Sequence, residues 1–458
     1  MEIFTNCIKK GTLFFESNLQ VTNKRIAFSL TCLFLFAFQF QIFAQQSAVS
    51  ITTATVGNST GGTWGKAGSL YTFTPNAATA TVSAVEIQDI LTGTAATLTG
   101  GQTVTGGTAG SVTITSATSS GGVATGSITV TTPITAANPS TSTANTLTLT
   151  STGNITVNTG SAINLTGKAG TGSSTTALSI GCLGDAIVLN AGGTVSVSSA
   201  LTTTGGAGAQ PSSGAGGNGG AGGTITVTGP GGITITSAPF TSTGGAGGAA
   251  NGNNAGGAGG TGGNISLTAS GGTIGITGVA TALVTTGGLP AGDPTLNGGS
   301  GNGAGGTAGA VNISASGNIN LGASTGITAA GANAAGCNQC NANCLAGQGS
   351  NVTINSTTGT VIISSPISTI GGNGASLKNS ATPTSGNIGG NISISGANGV
   401  SIASALTSSG GTGGNSYKWW GNCYGCFRWE FRNYCIKFIS KFSKHNCSYN
   451  VNRRNGRA

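Results

Sequence analysis

The chain has 458 residues, 85 of them glycine, and only 5% are charged. A globular domain carries about 7% glycine and about 25% charge, so this composition excludes an ordinary helical enzyme and a charged, solvated disordered chain. The formal net charge of +9 is uneven, with +2 in residues 1–44, −1 in 45–416 and +8 in 417–458. The basic character thus belongs to the two ends, and the near-neutral body gives no reason to expect a nucleic-acid partner.

Lys24 and Arg25 precede an apolar run from Ile26 to Ala44, broken only by Ser, Thr, Cys and two Gln. A positive flank, an apolar stretch and small residues near its end predict a secretion signal, with cleavage after Ala44. The alternative is an uncleaved anchor, since a run of about 19 apolar residues can just span a bilayer. The Ser/Thr/Gly-rich sequence that follows favours cleavage, and the long lead from Met1 leaves room for an internal start near Lys24. The mature chain is expected to be secreted or held on the outer cell surface, touching membrane only through the signal segment or through a C-terminal anchor outside this sequence.

Residues 45–146 are less regular and contain the most varied part of the body: Trp64, Tyr71, Phe73 and the stretch Val85-Glu86-Ile87-Gln88-Asp89-Ile90-Leu91. That stretch suits one or two helical turns. The region is predicted to be an N-terminal cap whose aromatics cover the first open rung of a repeat, because unpaired strand edges invite aggregation.

From residue 147 to 416 a beat of about 40 residues sets in. Aliphatic-x-aliphatic pairs open at Leu147, Ile187, Ile225, Ile265, Val311, Val352 and Ile392, at a nearly constant interval that is longest between Ile265 and Val311. A second pair follows about eight residues later in each unit, at Ile155, Val195, Ile233, Ile274, Ile319, Val361 and Val400. A third apolar point comes at Ile163, Leu201, Phe240, Ile327, Ile367 and Leu406. Alternation of period two, with Thr, Ser or Asn between the aliphatics, is the pattern of a half-buried strand. Two or three such strands cannot bury their aliphatics alone, so neighbouring units must stack. The expected fold is an all-β parallel β-solenoid of about seven repeats, right-handed by the usual crossover chirality.

Glycine-rich stretches such as 214–223 (GAGGNGGAGG) close each unit. They read either as flexible excursions or as packed extended helices of three residues per turn; their Gly-Gly-x rhythm resembles glycine-rich surface proteins of mycobacteria. The unit that opens at Ile265 carries an insert around Leu289-Pro290-Ala291-Gly292-Asp293-Pro294, expected as a surface loop.

At Tyr417 the language breaks: Lys418-Trp419-Trp420 opens a stretch dense in Trp, Cys, Tyr, Phe, Lys and Arg. Lys-Trp-Trp-Gly back-translates to AAR-TGG-TGG-GGN, which read one base later gives Asn or Ser followed by Gly-Gly. Residues 417–458 are therefore expected to be an out-of-frame, non-native tail. The alternatives are a basic nucleic-acid or membrane tail, or a metal half-site at Cys423-x2-Cys426.

Candidate chemistry is sparse. The only histidine, His445, lies in that tail, which excludes Ser-His-Asp and Cys-His sites from the body. Asp185 and Asp293 stand more than two repeats apart, too far to act as a glycosidase pair. Glu86 and Asp89 share a helix face and are expected as a solvated part of the cap. Calcium-binding nonapeptide solenoids need an Asp in every repeat, and this body has three. Cys182 and the cluster Cys337, Cys340 and Cys344 are candidates for disulfides in an exported chain, with free thiols or a metal site as alternatives. No cofactor or metal is expected.

The Gly-Asn-Ile openings (Gly153-Asn154-Ile155, Gly263-Asn264-Ile265, Gly317-Asn318-Ile319, Gly390-Asn391-Ile392) and Gly-Gly-x closings, over about 80–416, resemble repetitive bacterial surface adhesins. The resemblance is to the filamentous-haemagglutinin-like kind and to the Gly/Ser/Thr-rich β-strand-repeat proteins exported by Bacteroidota. The chain departs from filamentous haemagglutinin in lacking a two-partner secretion motif near its mature N-terminus; its one Asn-Pro, Asn138-Pro139, lies too far in. The resemblance implies a non-enzymatic adhesin or matrix stalk whose partners are glycans, surfaces or other cells. Two alternatives stand beside it. One is an ice-binding solenoid, suggested by Thr224-Ile225-Thr226 and Thr234-Ile235-Thr236; the other is a carbohydrate-active β-helix enzyme.

Overall fold

The computed structural model describes residues 47–116, 126–172, 179–250, 254–278, 282–291, 303–335, 345–375 and 384–414, with the backbone of strands Leu377–Lys378, Ser416–Tyr417 and Cys435–Phe438. It is a parallel β-solenoid. Each coil contributes one strand to each of three long sheets, of 11, 10 and 8 strands, here called the first, second and third. One coil runs Ile225–Thr228, Gly232–Thr236 and Phe240–Thr241, and the next runs Ile265–Ala269, Ile274–Thr277 and Ala282–Val284.

Register follows from the aliphatics. A slip of one residue would turn every inward side chain outward. Leu147 lies over Ile187, Ile187 over Ile225, Ile225 over Ile265, and the column continues through Val311 and Val352 to Ile392. All seven of these residues are buried in one continuous core. The third column runs Ile163, Leu201, Phe240, Leu283, Ile327, Ile367 and Leu406. The extra length of the longest unit is accommodated outside the strands, because Ile265 still pairs with Val311.

The solenoid also reaches below Leu147. Ser111–Thr115, Ser127–Val130 and Ile134–Asn138 form a complete coil in register with Thr146–Ser151, Ile155–Val157 and Ile163–Gly167. Below that coil lies the cap. An antiparallel hairpin, Gly62–Ala67 with Leu70–Pro75, ends the first sheet, and Ala48–Thr52 with Thr79–Ser83 ends the second. In place of a third-sheet strand stands helix α1, Ala84–Thr92, packed against Ile134–Asn138. Its apolar residues Ile87, Ile90 and Leu91 are fully buried, and Gly93, with φ of 68°, ends it in the left-handed conformation. Tyr71 and Phe73 sit directly over Val112 and Ile114, and Trp64 meets Phe73 edge-on with ring centroids 5.4 Å apart. The aromatics thus close the first rung.

The glycine-rich stretches are packed, which decides between the two readings open in the sequence. Each leaves the third sheet as an outbound run and returns as a second run to the first sheet of the next coil. Gly216, Gly219 and Gly222 donate their N–H groups to the carbonyls of Ala255, Ala258 and Thr261, each at 2.8 Å, so return runs stack in parallel. Gly217, Gly220 and Gly223 donate to Ala209, Gly206 and Thr203 at 2.8–2.9 Å, so outbound and return runs of one coil lie antiparallel. A hydrogen bond to the same neighbour at every third residue, with none of these six glycines at positive φ, describes an extended helix of three residues per turn. The runs form a two-layered sheaf along one side of the solenoid.

Glycine is required there by distance. A Cβ on Gly220 would stand 1.9 Å from the carbonyl oxygen of Cys182 one rung below, and a Cβ on Gly260 would stand 1.9 Å from that of Gly220. The same contact recurs upward, at 1.9 Å between Gly306 and the Gly260 oxygen and at 1.8 Å between Gly347 and the Gly306 oxygen.

Candidate functional surface

The outward positions of the first sheet form two long columns. One is Thr113, Thr148, Val188, Thr226, Ser266, Asn312, Thr353 and Ser393; the other is Thr115, Thr150, Asn190, Thr228, Thr268, Ser314, Asn355 and Ser395. All except Val188 carry a hydroxyl or an amide, none is charged, and all are at least partly exposed. Rungs lie about 4.7–4.9 Å apart, so eight of them make a face about 34 Å long. Neighbouring side chains also bond along a column, as where the Ser395 hydroxyl donates to Asn355 Oδ1 at 2.6 Å.

Thr224 and Thr226 belong to this face, but Thr234 and Thr236 lie on the second sheet. The two Thr-Ile-Thr segments therefore do not make one array. A denser threonine pattern appears on the third sheet and its continuation into the outbound runs. Asn164, Thr202, Thr241 and Val284 stack in one column. Thr166, Thr204, Thr243 and Thr286, two residues further along each run, stack beside them, held by Gly167 N–H to Thr204 O, Gly205 N–H to Thr243 O and Gly244 N–H to Thr286 O. The Thr243 hydroxyl donates to that of Thr204 at 3.3 Å.

Between these outward columns stands an inward one. Thr203 donates its hydroxyl to Gly223 O at 2.9 Å, Ser242 to the same oxygen, Thr285 to Gly309 O at 2.6 Å and Thr369 to Gly390 O at 2.9 Å. These buried hydroxyls pin each return run to the third sheet. Their signal is an apolar-x-Ser/Thr-x-Gly-Gly pattern, as in Leu201-Thr202-Thr203-Thr204-Gly205-Gly206, which aliphatic spacing alone passes over.

The charged groups lie elsewhere. Glu86, expected at a solvated position, is fully buried. Its carboxylate accepts hydrogen bonds from Gly57 N–H at 3.0 Å, the Ser59 hydroxyl, Trp64 Nε1 at 2.9 Å, and the N–H and hydroxyl of Thr99 at 2.7 and 3.0 Å. Five donors from three segments satisfy it, so it ties the cap together. Asp89, half-buried one turn on, has its carboxyl raised by burial and by the charge of Glu86. Lys66 lies 4.8 Å from the centroid of the Tyr71 ring, on the exposed hairpin.

Cys182 is a buried free thiol, pushed up by burial with Lys168 partly opposing. Cys337, Cys340 and Cys344 lie outside the described residues, as do the predicted signal, its cleavage point after Ala44, Asp293, and all of the tail except the backbone of Tyr417 and of Cys435–Phe438. That last strand pairs in parallel with Ile392–Gly396. Of the insert, Leu289 is exposed. Among the described residues no helix is long and apolar enough to cross a membrane, and no group of three or more His, Cys, Asp or Glu could hold a metal ion.

Fold and surface together define a parallel β-solenoid with a glycine sheaf and an uncharged, hydroxyl- and amide-rich outward face on its first sheet. No family model, curated protein or solved structure matches the chain.

Proposed function

We propose that this chain is an exported, non-enzymatic adhesin or matrix stalk that holds neutral glycans against the outward face of its first sheet. The observation that carries this reading is the pair of eight-rung columns in which fifteen of sixteen side chains offer a hydroxyl or amide and none a charge. Sugar hydroxyls are recognised by such groups acting as both donor and acceptor. A rigid, evenly spaced array presents many weak contacts at once, which favours a long or repeated ligand through effective concentration. The secretion signal expected from the sequence and the resemblance to repetitive surface adhesins agree with an extracellular place of work.

The test is binding of the full chain to immobilised neutral polysaccharides and to whole cells, with Thr226→Lys, Ser266→Lys and Asn312→Lys combined on the first sheet. Binding lost in the triple variant, with an unchanged far-ultraviolet spectrum, supports the reading. Equal binding by variant and parent, or no capture by any neutral glycan, overturns it. Ice binding is a second reading, favoured by the double column Thr202/Thr204 and Thr241/Thr243 on the third sheet. Thermal hysteresis abolished by Thr204→Lys and Thr243→Lys, and untouched by the first-sheet variant, would assign that activity to the other face.

A further inference from the structure

The sheaf has a beginning, and residues of a different kind stand there. Asp185 occupies the rung position that Gly223 and Gly263 occupy in the coils above, since Ile187 pairs with Ile225 and Ile225 with Ile265. Cys182 likewise stands below Gly220, whose Cβ would strike the Cys182 carbonyl. Side chains are tolerated at this lowest rung because no glycine run lies beneath it. In its place the short segment 138–145 crosses the end. Asn138 donates to Thr143 O at 3.0 Å and accepts from Ser140 N–H at 2.9 Å, while Ser140 O accepts from Leu183 N–H at 3.0 Å.

Asp185 closes this end from inside. It is fully buried, its Oδ1 accepts the Asn145 N–H at 2.7 Å, and the Asn138 side-chain amide lies against the carboxyl. Its Oδ2 has no hydrogen-bond partner among the described residues. Burial and hydrogen bonds, with no charged partner, set its electrostatics. Among the described residues, segment 138–145 contributes Asn138, Ser140 and Asn145 and the rung above contributes Thr203 and Gly223; the titratable Cys182 stands on its own run, and Lys168 on the outbound run is exposed. A buried carboxylate with one oxygen unsatisfied is costly when ionised, whereas the neutral acid is not.

We propose that Asp185 is a proton-operated latch that holds the first rung of the glycine sheaf shut in acid and loosens it as the medium becomes neutral. Burial pushes the carboxyl up to about 7, against the opposing hydrogen bonds from Asn145 and Asn138. The sign follows: an Asp whose folded value lies above its unfolded value of about 3.9 takes up a proton on closing. Closure is therefore strongest below about pH 4 and weakens by up to about tenfold per pH unit until about pH 7, above which it is constant.

Hydrogen exchange on the full chain reads this directly, in peptides covering 138–145 and 179–186, as protection factors corrected for intrinsic exchange. They should fall between pH 4.5 and 7 and level off, while those of 265–269 stay flat. Asp185→Asn should hold the first rung protected at every pH, and Cys182→Ala should keep the wild-type slope. A flat wild-type profile, or a slope that survives Asp185→Asn, overturns the latch. If Asp185→Asn does not fold, the wild-type profile still decides.

Discussion

At the scale of single residues, Glu86 and Asp185 are buried acids that each join separated segments of the chain. Glu86 is held by five donors drawn from 57–59, Trp64 and Thr99, so its removal strands donors in an apolar cap. Each buried donor left unsatisfied costs about 1–3 kcal/mol. Glu86→Ala should therefore destabilise the cap by about 3–5 kcal/mol, seen as lost exchange protection at the Thr99 N–H while the upper coils keep theirs; equal loss throughout would mean that cap and coils unfold as one unit. Glycine in the sheaf is the mirror case. Gly220→Ala places a methyl 1.9 Å from a backbone oxygen and should lower stability by at least about 1–3 kcal/mol. Ala221→Ser, one residue on and partly exposed, should leave the melting temperature nearly unchanged.

At the scale of the element, the strands were the legible part. Aliphatics alternating at period two and returning once in every repeat leave one register that buries them all, and the columns Leu147 to Ile392 follow it. Replacing Ile265 and Leu267 by alanine should cost about 2–5 kcal/mol per residue, measured by denaturant unfolding, and Ser266→Ala almost nothing. The coil at 111–138 was harder to see, because Val112 precedes Leu147 by less than a full repeat and no glycine run separates them. The partners of Glu86 were not legible at all. They come from three separated segments with no shared spacing, and polarity alone suggests solvent where the fold supplies donors. The glycine runs left two readings open because composition shows that glycine is abundant without showing what lies above and below it.

At the scale of the molecule, strand and three-residue extended helix should dominate the far-ultraviolet circular dichroism of residues 45–416, in which α-helix among the described residues is confined to Ala84–Thr92. A helix content above about 20%, approaching that of ordinary globular domains, would contradict the solenoid. Stability should be distributed along the stack, since each coil touches chiefly the coil below and the coil above. Removing residues 225–264 in one piece joins Thr224 to Ile265, which takes the place of its own stacked equivalent Ile225. That shortened chain should fold cooperatively with nearly the same dichroism per residue. Removal of 225–244 alone, which takes out only part of a coil and breaks the register above it, should not leave a cooperative fold.

The glycine columns therefore set opposite fates for two kinds of genetic change. A point mutation at a sheaf glycine is met at once by the carbonyl below it, so drift by substitution is narrow there. Duplication or loss of a whole turn sets the carbonyls of one repeat against the stacked glycines of the next and keeps the strand register. Unequal recombination between repeats is thus the permissive route, and lineages descended from this chain should differ in how far the molecule reaches more readily than in what its sheaf is made of.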